Sequence, residues 1–120
     1  MILIKDNHLA ALTGKCRIAE AVHRARLASS DLKIEVEVET LEQAEQATEA
    51  GADIVLLDNM TIEELSKAVK LINGRTQIEA SGGITLKNIR EVAKTGVNYI
   101  SVGAITHSAK TVDISMEIVS

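Results

Sequence analysis

Apolar and polar positions alternate along this chain in two different periods. Short runs rich in Ile, Val and Leu, at 1–5 (MILIK), 33–39 (KIEVEVE), 53–58 (DIVLLD), 76–81 (TQIEAS) and 99–103 (YISVG), have the length and residue types of strands. Between them the spacing becomes helical. Ile18, Val22 and Ala25 recur at i, i+4, i+7, and Ile62, Leu65, Val69 and Ile72 at i, i+3, i+7, i+10, giving one apolar stripe each. Thr40 with Gln43 and Thr61 with Glu64 have the S/T-x-x-E/Q form, in which each side chain satisfies a free N–H at a helix start. Gly51, Gly74 and Gly96 follow periodic runs, where a left-handed residue closes a helix. The resulting order, β-α-β-α-β-α-β-α-β with short connections, predicts a parallel α/β arrangement in a single domain over 1–120.

Two segments echo each other. EAGADIVLLDN (49–59) and KTGVNYISVGA (94–104) align at an offset of 45 residues, about two βα units, as in a barrel built by repetition. The tail TVDISMEIV (111–119) alternates over Val112, Ile114, Met116 and Ile118, and reads equally as a half-exposed strand or a helix with one apolar face.

The run IEVEVET (34–40) raises a chemical question, because period two puts Glu35, Glu37 and Glu39 on one face and Ile34, Val36 and Val38 on the other. A row of like charges fits a solvated strand face, and it also fits a strand lining a functional cavity. The other strands bear on the choice. Each predicted strand ends in polar or glycine chemistry: Lys5, then Glu37 and Glu39, Asp58 with Asn59, Ser81-Gly82-Gly83, and Gly103-Ala104. In barrels and open α/β sheets this edge is where active sites assemble.

Composition narrows the partners. With 13 basic and 17 acidic residues the formal charge is −4 and no basic patch stands out, which argues against general nucleic-acid binding. No long apolar run predicts a membrane span, and no leader pattern is visible, so a cytoplasmic setting is expected. The lone Cys16 can form neither an internal disulfide nor a Cys-rich metal site. With one Tyr and no Phe or Trp, the core must be aliphatic.

Several residues have a functional and a structural reading side by side. ASGGIT (80–85) puts two glycines between strand and helix, where backbone N–H groups and a helix N-terminus can meet an anion; glycine also serves any tight turn. VGAITHS (102–108) offers a second such turn with His107 and Ser108 in reach. Glu37 and Asp58, ending neighbouring strands, can hold hydrated Mg²⁺, bind sugar hydroxyls or balance positive charge; a plain Lys5–Glu pair is the structural alternative. In KDNH (5–8), Lys5 can bind a carboxylate or phosphate, Asp6 and Asn7 can form a turn, and His8 reads as a hydrogen bonder within the loop. His23 reads as surface and Cys16 as structural.

LIKDNH, IEVEVE, LLDN, EASGGIT, TGVNYISVGAITHS and VDIS, in this order and at these separations, resemble the C-terminal part of quinolinate phosphoribosyltransferase, the decarboxylating nicotinate-nucleotide pyrophosphorylase of NAD biosynthesis. The resemblance runs through nearly the whole chain. It implies part of a TIM-like barrel, and a reaction in which quinolinate nitrogen attacks C1 of phosphoribosyl pyrophosphate with Mg²⁺ assistance, losing pyrophosphate and carbon dioxide. On this reading Lys5 binds substrate carboxylate or phosphate. Glu37 and Asp58 hold the ribose hydroxyls, directly or through Mg²⁺. Ser81, Gly82, Gly83, Gly103 and Ala104 cradle the 5-phosphate with His107 close by, and Glu79 and Asn59 support them. Glu35 is expected to pair with a basic group that the chain does not contain. The resemblance also implies that an N-terminal domain and the first barrel strands, which carry the quinolinate-binding residues, lie outside these residues. Family members are homodimers in which one subunit's N-terminal domain covers the other's barrel mouth. The chain alone is therefore expected to lack turnover and to expose apolar strand edges. A non-catalytic phosphosugar-binding module, or a fragment needing a complementary piece, is the alternative.

Overall fold

The computed structural model describes residues 1–14 and 16–103. Five strands, β1 (Ile2–Ile4), β2 (Ile34–Val38), β3 (Ile54–Asp58), β4 (Gln77–Ser81) and β5 (Tyr99–Ile100), form one sheet in the order β1-β2-β3-β4-β5, every neighbouring pair parallel. The helices are α1 (Asp6–Ala10), α2 (Arg17–Ala28), α3 (Leu41–Glu49), α4 (Ile62–Ile72) and α5 (Ile89–Lys94). Because the strand order never reverses, right-handed crossovers place the connecting helices on one side of the sheet. This is the arc of a barrel and not a doubly wound sheet, which needs a reversal.

Strand alternation divides the residues between the two faces. Ile34, Val36, Val38, Val55, Leu57, Ile78 and Ala80 point to the helices and are almost wholly buried. Ala44, Ala47 and Ala68, also fully buried, are small enough to bring α3 and α4 close to the strands. Ile54 and Leu56 are buried too but lie outside this cluster, on the opposite face.

The helix starts follow the sequence. Thr40 Oγ1 accepts from the Gln43 N–H (3.2 Å) while Gln43 Oε1 accepts from the Thr40 N–H (3.2 Å). The Thr61 and Glu64 pair repeats this at α4, at 3.3 and 2.8 Å. Gly51, Gly74 and Gly96 all have positive φ, as expected of helix stops. Two details differ. Asp6 and Asn7 open the short helix α1 in place of a simple turn, with the Lys5 N–H donating to His8 Nδ1 at 3.0 Å. Ile62 is 38% exposed in the first turn of α4 and Val69 is partly buried, so the stripe is fully buried at Leu65 and Ile72.

The internal echo has a structural basis. Asp53 donates its N–H to the Ile34 carbonyl (2.9 Å) and accepts the Ile34 N–H at Oδ2 (2.8 Å). At the matching place in the second copy, Asn98 donates to the Ile78 carbonyl (2.9 Å) and accepts the Ile78 N–H at Oδ1 (2.8 Å). Each Asx residue thus clasps the start of the preceding strand. The alternating tail at 111–119 lies outside the described residues.

Candidate active site

The sheet register lays the strand side chains out in rows on the face away from the helices. Leu3, Glu35, Ile54 and Gln77 form the first row, and Glu37, Leu56, Glu79 and Tyr99 the second. Asp58 and Ser81 stand side by side in the third, at the C-terminal edge. Glu37 and Asp58 are therefore on adjacent strands and one row apart. A strand rise of about 3.3 Å per residue and a strand spacing of about 4.8 Å put their Cα atoms roughly 8 Å apart, a separation suited to sharing a hydrated ion or a sugar.

Lys5 caps the N-terminus of α1 just past β1, and its Nζ lies 3.2 Å from Glu37 Oε2. The ion pair that serves as the structural alternative for Lys5 is thus formed. It leaves Lys5 half exposed and Glu37 largely covered, at 51% and 19% side-chain exposure. With its lysine half in water the pair is screened from that side and worth on the order of 1 kcal/mol, so Lys5 can be drawn to a ligand at modest cost.

Asp58 is held from its neighbour. Asn59 Nδ2 donates to Asp58 Oδ2 at 2.8 Å, and the Asn59 N–H donates to the Ser81 carbonyl at 3.0 Å. This places Asn59 in the left-handed region, φ 52°. Gly82, at φ 78°, packs directly on it: a Cβ added there would meet the Asn59 side chain and come within 2.8 Å of its backbone nitrogen. The close approach that makes glycine obligatory at Gly82 is thus an approach to Asn59. Gly83 (φ 63°) has no described atom within 4 Å of an added Cβ, and among the described residues neither the Gly82 nor the Gly83 N–H meets a backbone acceptor. The helix expected directly after this turn starts later, at Ile89. Asn88 fills the gap, accepting the Thr85 N–H (2.8 Å) and donating to the Gly83 carbonyl (3.0 Å). Asn59, Ser81, Gly82, Gly83 and Asn88 line one cleft of about 220 Å³.

Gly103 is exposed, and no described atom lies within 4 Å of an added Cβ. Ala104 and His107 lie outside the described residues. Ser101 was not singled out in the sequence, yet its Oγ donates to Glu79 Oε1. The alternation of YISVG carries that signal, since Tyr99 and Ser101 share a face. His8 is a local hydrogen bonder as expected, accepting the Lys5 N–H, but does so from α1 and not from a loop; His23 is exposed, as expected, and Cys16 is exposed and so does not pack as a structural core residue. A larger cavity, about 350 Å³, lies elsewhere, among α1, α2 and α3, against Asp6, Arg17 and Gln43.

Glu35 differs from every other acid. It is 3% exposed, and its Oε1 has no hydrogen-bond partner among the described residues. Burial, then the charge and hydrogen bond of Glu79, then the charge of Glu37, push its carboxyl up from 4.5 to about 7.

Comparison with known proteins bears on the family and the fold. The family model described as the quinolinate phosphoribosyl transferase C-terminal domain matches residues 1–117. A probable nicotinate-nucleotide pyrophosphorylase (carboxylating) of Bacillus subtilis is 47% identical over 118 residues, covering 98% of this chain and 40% of that protein. A mitochondrial quinolinate phosphoribosyltransferase (decarboxylating) of Nicotiana tabacum is 41% identical over 136 residues, covering 98% of this chain and 38% of that protein. The solved nicotinate-nucleotide pyrophosphorylase of Francisella tularensis superposes with a TM-score of 0.83 at 45% identity, over 91% of this chain and 38% of that one. The chain thus spans about two fifths of the length of these relatives. By this match, the chain belongs to the quinolinate phosphoribosyl transferase C-terminal domain family.

Proposed function

We propose that these residues form the phosphoribosyl half of a quinolinate phosphoribosyltransferase site. The observation that carries this reading is the convergence of Lys5, Glu37, Asp58 and Ser81 at one edge of the sheet in a chain of this family. On this reading Glu37 and Asp58 bind the ribose hydroxyls of phosphoribosyl pyrophosphate and stabilise the positive charge that develops at C1 as pyrophosphate leaves. Lys5 moves from Glu37 to a substrate carboxylate or phosphate, and Glu79, steadied by Ser101, supports the row. Ser81, Gly82, Gly83, Gly103 and Ala104, with His107, take the 5-phosphate. Fixed charges of this kind act by being aimed where charge develops.

The donors fit magnesium. Glu37 and Asp58 offer hard oxygens at a partly open edge, and among the described residues no group of three or more His, Cys, Asp or Glu is arranged to hold a metal alone. Mg²⁺ keeps several waters and commonly takes only one or two carboxylates beside substrate oxygens. When bound it would neutralise the departing pyrophosphate, and Glu37 and Asp58 would hold it, directly or through water.

Quinolinate's own carboxylates are read as the task of segments outside these residues, and a partner subunit's domain as the cover of the mouth in a homodimer. The purified chain is then expected to form no nicotinate mononucleotide. A phosphorus NMR titration of phosphoribosyl pyrophosphate with Mg²⁺ tests the half-site directly. Saturable broadening of the 5-phosphate signal, weakened in Asp58→Asn, is the expected result. Broadening that is indifferent to Asp58 would favour a phosphosugar-binding module without this chemistry. No interaction at all would mean that the half-site needs a complementary piece before it binds.

A further inference from the structure

Asn88 stands where a helix cap is expected and does not act as one. It directly precedes α5, yet its side chain makes no capping bond to that helix, although Asn is among the residues best suited to accept a first-turn N–H. It turns back instead. Its Oδ1 accepts the Thr85 N–H at 2.8 Å, and its Nδ2 donates to the Gly83 carbonyl at 3.0 Å. The first bond repeats the Thr40–Gln43 and Thr61–Glu64 arrangement, with Asn in the place of Gln or Glu. Glu64 shows that a carboxylate can make that bond. An ionised carboxylate cannot make the second, because it has no hydrogen to donate.

The second bond acts on the glycine turn. Gly82 and Gly83 are both left-handed, and two glycines in a row leave a turn mobile unless something holds it. Asn59 packs under Gly82, and Asn88 grips the Gly83 carbonyl. Because the peptide is planar and trans, the Ile84 N–H then points the opposite way from that carbonyl. The N–H groups of Gly82, Gly83 and Ile84 meet no acceptor among the described residues, although Ile84 is itself buried. Successive N–H groups left open in this way can receive an anion. Asn88 lines the same cleft as Gly82 and Gly83. We propose that Asn88 is a positioning residue that holds this turn preformed for a phosphate, and that its place requires an amide, since a carboxylate would lose the Gly83 bond and repel the ligand. The inference rests on the reading of the turn as the 5-phosphate site and names the residue that sets its shape.

The test titrates ribose 5-phosphate into the purified chain with Mg²⁺, followed by phosphorus NMR, and measures the urea unfolding of each variant. Saturable binding is expected. Asn88→Asp keeps the Thr85 bond, so its unfolding midpoint should stay near the original while its affinity falls by at least about tenfold. Asn88→Ala adds no charge and should weaken binding by about threefold through lost preorganisation. Asn73→Asp, the same change at the C-terminal end of α4, should leave the affinity unchanged. Should Asn88→Asp lose its circular dichroism spectrum, Asn88→Ala decides at its own threshold. The inference is overturned if Asn88→Asp binds as tightly as the original, if its affinity and midpoint fall together, or if Asn73→Asp weakens binding equally. It is overturned too if the original chain binds no ribose 5-phosphate, because a preformed turn needs no further piece. Asp58→Asn separates it from the reading it rests on: binding that ignores Asp58 but follows Asn88 removes the ribose chemistry and keeps the phosphate turn.

Discussion

Glu35 and Glu37 are two residues apart on one strand and share a face, yet burial gives them different chemistry. Glu37 sits near the edge with a lysine against it; Glu35 is one row deeper and covered, hydrogen-bonded to Glu79 and with its Oε1 unmet among the described residues. The folded chain therefore holds a proton on Glu35 more tightly than the unfolded chain does. Between 4.5 and about 7 the native state binds more protons than the unfolded state, so stability falls as pH rises through that window. A shift of this size corresponds to roughly 3 kcal/mol. Glu35→Gln should accordingly stabilise the isolated chain at about pH 8 by an amount of that order and change little at about pH 5, which urea unfolding at the two pH values will show. Gly82 makes the opposite kind of prediction. Gly82→Ala combines a left-handed backbone with a contact against the Asn59 nitrogen, so a loss of about 1–3 kcal/mol is expected, against a smaller one for Gly83→Ala, where space is open.

At the scale of elements, the sequence is most legible where local chemistry is self-contained. Thr40 and Thr61 form their capping boxes because both partners lie within one turn and need nothing from the rest of the molecule. Thr61→Ala should cost about 1 kcal/mol, measurable as a lowered unfolding midpoint, and should fray α4 from its first turn. The start of α5 was less legible. Asn88 bonds back to Gly83 and Thr85, so the stretch after the glycines becomes a bonded turn and the helix begins only at Ile89. Nothing in ASGGIT reveals this, because the residue responsible stands outside it. The short helix α1 was hidden for a related reason: Asp6 and Asn7 suit a turn and a helix start equally, and the His8 bond to Lys5 selects the helix.

Across the whole molecule, the repeated clasp by Asp53 and Asn98 ties successive strands into one arc. The two clasps differ in charge, which makes them separable. The Ile34 N–H first, and Arg26 after it, hold the Asp53 carboxyl below its ordinary 3.8. A depressed carboxylate stabilises above its unfolded pKa and loses that contribution as pH falls through the folded one. Asn98 does not titrate. Acidification to about pH 2.5 should therefore lower hydrogen-exchange protection of the Ile34 amide well before that of Ile78, after correction for intrinsic rates. Equal loss at both amides would show that the first clasp does not depend on the Asp53 charge.

By itself the sequence determined the five strands, the helix caps, the polar edge and the family, since periodicity, turn chemistry and motif order are local properties. Alternation alone also put Glu35 with Glu37, and Glu79 with Ser81, on one face of their own strands. Only the tertiary structure decided what each of them meets there. The register set Glu37 one row from Asp58, brought Lys5 to Glu37, seated Gly82 on Asn59 and buried Glu35 against Glu79. Those contacts join residues far apart in the chain, and a carboxylate's pKa depends on the neighbours and solvent around it, which a strand's own pattern does not contain.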